Sequence, residues 1–175
     1  MKYPLVYGGI AGAIIIVASG LIFAVAQGVH TTSPLLGYLV MLIALSMIFV
    51  GVKRYRDVEQ GGVIRFGKAT AVGLGIAGVA ALLYVIAWEV MFAFTGDAFL
   101  TGYIEVMARE MQSAGSSPGE IQSAVSEMRA FGESYKNPLV RIPMTLIEIA
   151  PVGLVVALVS AAVLRNPRVL PARTA

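Results

Sequence analysis

Four apolar stretches, each long enough to cross a lipid bilayer, divide this chain: Leu5 to Ala26, Leu35 to Val52, Thr70 to Ala93 and Ile142 to Leu164. A membrane-crossing helix needs about 20 predominantly apolar residues. Lipid offers no hydrogen-bonding partners, so each backbone must close its own hydrogen bonds, which makes these stretches helices. No alternating ten-residue pattern argues for the strands of a membrane barrel. The pattern predicts an all-α integral membrane protein, a single membrane domain with four transmembrane helices over residues 1–175.

Between the third and fourth stretches, over about residues 94–139, the pattern becomes amphipathic. Leu100, Ile104, Met107 and Met111 fall on one helical face, with Glu105, Arg109 and Glu110 around it. Gly115-Ser116-Ser117-Pro118 breaks the chain, and Ser117 with Glu120 forms a capping box with Pro118 at the first helical position. Ile121, Val125, Met128 and Phe131 then continue as a second stripe until Asn137-Pro138. This segment reads as an extracytoplasmic two-helix loop, folded on itself or lying on the membrane surface. Trp88, Phe92 and Phe94 suit an interfacial aromatic belt at the same end.

Small residues recur at helix-packing spacings: Gly8 and Gly12, Ala71 and Gly75, and Gly153, Ala157 and Ala161. Helices in lipid associate through such close approach, which predicts a compact bundle and offers a face for self-association. Gly9-Ile10-Ala11-Gly12 recurs as Gly75-Ile76-Ala77-Gly78, a hint of a duplicated helical hairpin, although four residues match easily by chance in membrane sequence rich in glycine and alanine.

Composition agrees with the pattern. Hydrophobic residues make up 58% of the 175 residues and charged ones 13%, with a mean hydropathy of +0.82. The distribution of basic residues says more than the net charge of +3. Lys2, then Lys53, Arg54, Arg56, Arg65 and Lys68, and finally Arg165, Arg168 and Arg173 cluster at one end of the four spans. The loop from Gln27 to Pro34 has no basic residue but His30, and the long third loop dilutes its own with six acidic residues, Asp97 to Glu133. The positive-inside rule puts both termini and the second loop in the cytoplasm and the long loop outside. Lys2, the apolar run and Ala24-Val25-Ala26 imitate a cleavable signal peptide, but the run is longer than the usual apolar core.

Several chemistries are excluded. There are no cysteines, hence no thiolate chemistry and no disulfides. His30 is the single histidine and makes a poor metal site alone. Gly73-Leu74-Gly75-Ile76-Ala77-Gly78 matches a dinucleotide-binding string but sits inside a membrane helix. Gly62 to Lys68 resembles a phosphate loop, yet Ala69 stands where the magnesium-binding hydroxyl belongs. No serine nucleophile with a base is visible. No cofactor, metal, nucleic acid or enzymatic activity is expected.

Two intramembrane acids remain, Glu89 and Glu148. A charge at the centre of a membrane helix costs about 2–3.5 kcal/mol on insertion scales, so these are the candidate ion or proton site. Three readings compete: structural bonds to Tyr84, Arg141 or loop backbone, a shared proton, or a bound cation. Pro151 can kink the last helix beside Glu148. At the cytoplasmic end of the second span, Lys53, Arg54, Tyr55, Arg56 and Asp57 are candidate contacts for lipid headgroups or for a docked partner, with Gly61-Gly62 turning tightly behind them.

Gly51-Val52-Lys53-Arg54-Tyr55-Arg56-Asp57, Gly61-Gly62 and Phe66-Gly67-Lys68-Ala69 together resemble the signature of a bacterial membrane family, domain of unknown function 4199. Trp88-Glu89, Lys136-Asn137-Pro138-Leu139, Thr145, Glu148 and Pro151-Val152-Gly153-Leu154 fit the same pattern. Where that family often reads Leu-Glu-Pro-Leu-Pro, this chain has Ile147-Glu148-Ile149-Ala150-Pro151 and lacks the earlier proline. The resemblance covers nearly the whole chain. It implies four membrane helices in a bacterial cytoplasmic membrane and supplies no activity, cofactor or catalytic residue. The expected function is that of a non-enzymatic accessory or organising component. Its partners are the lipid bilayer and either a second copy or an unidentified membrane protein. The alternative is a small cation- or proton-coupled transporter using Glu89 and Glu148.

Overall fold

The computed structural model describes residues 2–25 and 34–172. Ala26, His30 and Arg173, and with them part of the signal-peptide pattern and the lone histidine, lie outside the described residues. Six helices follow in order: α1 (Lys2–Val25), α2 (Pro34–Leu45), α3 (Met47–Glu59), α4 (Phe66–Ser113), α5 (Pro118–Tyr135) and α6 (Pro138–Leu164). Four runs are long and apolar enough to cross a membrane: Lys2–Ile22, Leu35–Glu59, Phe66–Ser113 and Pro138–Leu164.

The second run is α2 and α3 joined at Ser46. Its hydroxyl donates to the Ile43 carbonyl at 2.6 Å, and its amide still reaches the Leu42 carbonyl at 3.0 Å. Such back-bonding bends a helix without ending it. The run continues past Val52, so Lys53 to Asp57 lie within α3 and not in the segment after it. Charge ended the apolar pattern there, not the helix: Lys53 and Asp57, one turn apart, pair at 2.5 Å. The helix stops at Gly61 (φ +60°) and Gly62 (φ +87°), where the amides of Gln60 and Gly62 return to the Arg56 carbonyl. Only glycine adopts this left-handed turn cheaply.

At 48 residues, α4 spans about 70 Å, more than twice the hydrocarbon thickness of a bilayer. One residue divides it. Gly96 has φ 26° and ψ −106°, outside the helical region, so the membrane-length part ends there and a second arm begins. The arm is thus a continuation of the third span, not a helix separated from it by a loop. The arm turns at Gly115 (φ +84°) into α5. Ser117 Oγ accepts from the Glu120 amide and the Glu120 carboxylate accepts from the Ser117 amide at 2.7 Å, closing the capping box. Asn137 caps α6 by accepting from the Leu139 amide at 2.9 Å. From there α6 runs unbroken through Pro143 and Pro151.

The inner part of α4 is the central helix, packed along α1 on one side and α6 on the other, with α3 against all three. Small residues permit this. A Cβ on Gly8 would fall 2.6 Å from the Val79 Cβ, and one on Gly12 would fall 2.6 Å from the Leu83 Cδ1. The Gly153 side of α6 meets Ala77 in the same way. Ala11, Ile15, Leu45, Ile48, Ile76 and Ile149 close the core. The two copies of the Gly-Ile-Ala-Gly string are not used alike: Gly12 is jammed against α4, whereas Gly78 faces open space.

Candidate functional site

Polar chemistry concentrates at the two ends of the bundle, each around a buried arginine. At the hairpin end Arg141, in the first turn of α6, is 5% exposed. Its Nε donates to Glu89 Oε1 at 2.7 Å and its Nη2 to Oε2 at 2.5 Å, a two-pronged pair joining α6 to α4. Its Nη1 donates to the carbonyls of Tyr135 and Lys136, both at 3.1 Å. Those carbonyls end α5, so the guanidinium also meets the negative end of that helix dipole. Phe92 lies under it, with its ring centre 4.1 Å from Cζ.

Tyr135 completes this layer. Its hydroxyl accepts from Trp88 Nε1 at 2.8 Å, and its ring meets Phe92 edge-on at 5.6 Å. Burial pushes the Tyr135 phenol up, although the bond from Trp88 works the other way, so it keeps its proton at neutral pH. Trp88 and Phe92 therefore turn inward to hold the hairpin, and of the expected aromatic belt only Phe94 is outward, 86% exposed. The reason is that a buried indole N–H needs an acceptor, and Tyr135 provides it. Lys136 bridges Asp97 at 2.8 Å and Glu133 at 3.0 Å, and these bonds raise its ammonium above its ordinary value. An open groove between the arm of α4 and α5 is lined by Leu100, Ile104, Arg129, Gly132 and Glu133.

Glu148 is placed differently from Glu89. It is exposed on α6 and accepts one bond, from the Tyr84 hydroxyl at 3.1 Å. The two acids thus have separate partners, and no ion pair to Glu148 exists among the described residues.

At the opposite end Arg56, on α3, is 0% exposed. Its Nε donates to Asp57 Oδ1 at 2.7 Å. Its Nη1 reaches the carbonyls of Leu164 at 3.4 Å and Val169 at 2.9 Å, and its Nη2 that of Leu170 at 2.5 Å. Arg56 is therefore unavailable to headgroups or to a docked partner. It ties the end of α6 and the following tail to α3, and the unpaired carbonyls there are what drew it inside. Of its neighbours, Lys53 is paired with Asp57, Tyr55 stacks edge-on with Tyr3 at 5.3 Å, and Arg54 is exposed. The start of α1 joins the same layer: Lys2 pairs with Glu59 and Tyr3 donates to it, both at 3.0 Å.

Sequence reasoning named Glu89, Glu148, Tyr84 and Arg141 but missed Tyr135 and the inward role of Trp88. A tyrosine one residue before a Lys-Asn-Pro helix junction is the signal that was there to be read. Among the described residues no group of three histidines, cysteines or acids is close enough to hold a metal ion. No curated protein and no solved structure matches the chain. The model of a family described as protein of unknown function, DUF4199, matches residues 6–166, and the chain belongs to that family.

Proposed function

We propose that this protein is a non-enzymatic membrane component that assists or organises a partner, presenting its two-helix hairpin at the membrane surface. One observation carries the reading: the pair of half-buried Glu89 and buried Arg141 is used to fasten the hairpin to the bundle. A carboxylate held by both prongs of a guanidinium has its charge compensated and its acceptor positions taken up, which suits a fastener between helices. The reading predicts that Glu89→Gln and Glu148→Gln alter abundance or assembly in the membrane. Normal assembly of both variants, together with loss of a measured ion flux, would overturn it.

The proposal includes a bacterial cytoplasmic membrane with both termini in the cytoplasm and the hairpin outside. Arg54, Arg65, Lys68, Arg165 and Arg168 are exposed at the end away from the hairpin and form no ion pair among the described residues, as the positive-inside rule asks. Cysteine labelling from each side of intact cells checks it. Modification of residue 168 from outside would invert the orientation.

The second reading is a proton- or cation-coupled transporter, and Glu148 favours it because its carboxylate is exposed and pairs with no cation among the described residues. It predicts that carbodiimide labelling of Glu148 in vesicles depends on pH or on a specific cation. Labelling indifferent to both removes this reading.

A further inference from the structure

Glu148 heads an exposed stripe on α6. Met144, Ile147, Pro151, Val155 and Val159 share its face, all exposed, and Ile147 is 71% exposed. The core side of the same helix carries Ile149, Gly153, Ala157 and Leu164, while Arg141 and Thr145, nearer the Glu148 side, are buried toward the start of the helix. Helical geometry sets the depth: Glu148 lies about 10 Å further into the span than the Arg141 layer. Nothing but Glu148 breaks the apolar character of this outward stripe.

Ionisable residues inside membrane spans face a protein interior or a water-filled cavity, because lipid compensates no charge. A stripe of this kind is otherwise the ordinary surface of a lipid-facing helix, and the carboxylate is what does not belong there. Among the described residues the Tyr84 hydroxyl satisfies one of its acceptor positions, and no cation pairs with it. A second copy of this chain brings no matching cation. Among the described residues, the basic side chain nearest this depth is Arg141, which is buried and bonded to Glu89, Tyr135 and Lys136. Arg56 is buried at the other end.

We infer that the Glu148 stripe of α6 is the docking face for a transmembrane helix of a different protein that carries a lysine or arginine at matching depth. The charge is complementary and the flanking Ile147 and Val155 supply apolar contact on either side of it. The inference rests on the accessory reading and gives it a chemistry: the partner is selected by one buried charge pair.

The test uses the whole protein in phosphatidylcholine vesicles with a fluorescent label on the hairpin. The probe is a synthetic leucine–alanine transmembrane peptide bearing one lysine in its hairpin-side half, compared with the same peptide bearing methionine there. Energy transfer should report about 10-fold tighter association of the lysine peptide, falling to the methionine level in Glu148→Gln. Ile147→Trp keeps the carboxylate but blocks the stripe, and should weaken the lysine peptide as well. Equal binding of the two peptides to the wild-type protein would overturn the inference. So would efficient cross-linking between copies through a cysteine at position 147, which would place a second copy on this face. Either failure leaves the accessory reading standing, because that reading is judged separately by the assembly of Glu89→Gln.

Discussion

The two buried arginines occupy opposite ends of one bundle, yet they are held by different kinds of partner. Arg141 takes its carboxylate from another helix, so its ion pair is itself the joint between α4 and α6. Arg56 takes its carboxylate from the adjacent residue, Asp57, which also holds Lys53, so its long-range bonds go to backbone carbonyls beyond α6. The first is a pair of side chains that mutation can remove as a unit. The second has no such unit, because carbonyls cannot be mutated away. The same residue type therefore makes an adjustable joint at the hairpin end and a fixed one at the other.

That contrast is open to direct attack, and the largest effect is expected at Arg56. Arg56→Met strands the carbonyls of Val169 and Leu170 and should cost about 3–5 kcal/mol, read as lost resistance to denaturant in mild detergent. Adding Asp57→Asn should restore nothing, since Asp57 retains Lys53. Full rescue by that second change would make Arg56 a simple ion pair and erase the contrast.

Arg141→Met leaves Glu89 as an uncompensated charge and should cost nearly as much, about 3 kcal/mol. Here the second substitution, Glu89→Leu, should recover more than half of the loss, because removing both members of a buried pair is often close to neutral. The remainder, about 1–2 kcal/mol, belongs to the carbonyls of Tyr135 and Lys136. A double variant no better than the single would contradict this partition.

Gly96→Ala probes the hairpin from its other attachment. No atom lies within 4 Å of the missing Cβ, so the penalty comes from the backbone at φ +26° alone. A loss of about 1–2 kcal/mol, or a straightened arm with increased hydrogen exchange in α5, is expected. The smallest effect concerns acid. The Ser117 amide and hydroxyl hold the Glu120 carboxylate below its ordinary value. Its contribution is present above the unfolded carboxylate value and disappears as pH falls through the lower folded one. The start of α5 should therefore fray as pH drops through the acidic carboxylate range, and Glu120→Gln should abolish that pH dependence.

Much of this architecture was legible in residue order because lipid imposes a strict length and polarity rule. The four helices long and apolar enough to cross a membrane, the Ser117 to Glu120 capping box and the helix break at Asn137-Pro138 follow from local chemistry alone. The boundaries failed where charges continue a helix. Lys53 to Asp57 read as an exposed segment after a span, yet they belong to α3, and Arg56 is buried because distant carbonyls need it. Arg141, just before the expected start of the fourth stretch, belongs to α6 for the same reason. Pairing is a property of the fold: nothing local says that Glu89 meets Arg141 while Glu148 meets Tyr84 and stays exposed. Gly96 was equally silent, since a glycine among apolar residues gives no sign of its dihedral angles.

The most direct test of the account is hydrogen exchange across residues 118–135 in bilayer nanodiscs, with Arg141→Met and Arg56→Met measured side by side. If Arg141 fastens the hairpin, exchange in α5 rises strongly in Arg141→Met and stays at the wild-type level in Arg56→Met. Unchanged exchange in Arg141→Met, or an equal rise in both variants, would show that the Glu89–Arg141 pair does not hold the hairpin.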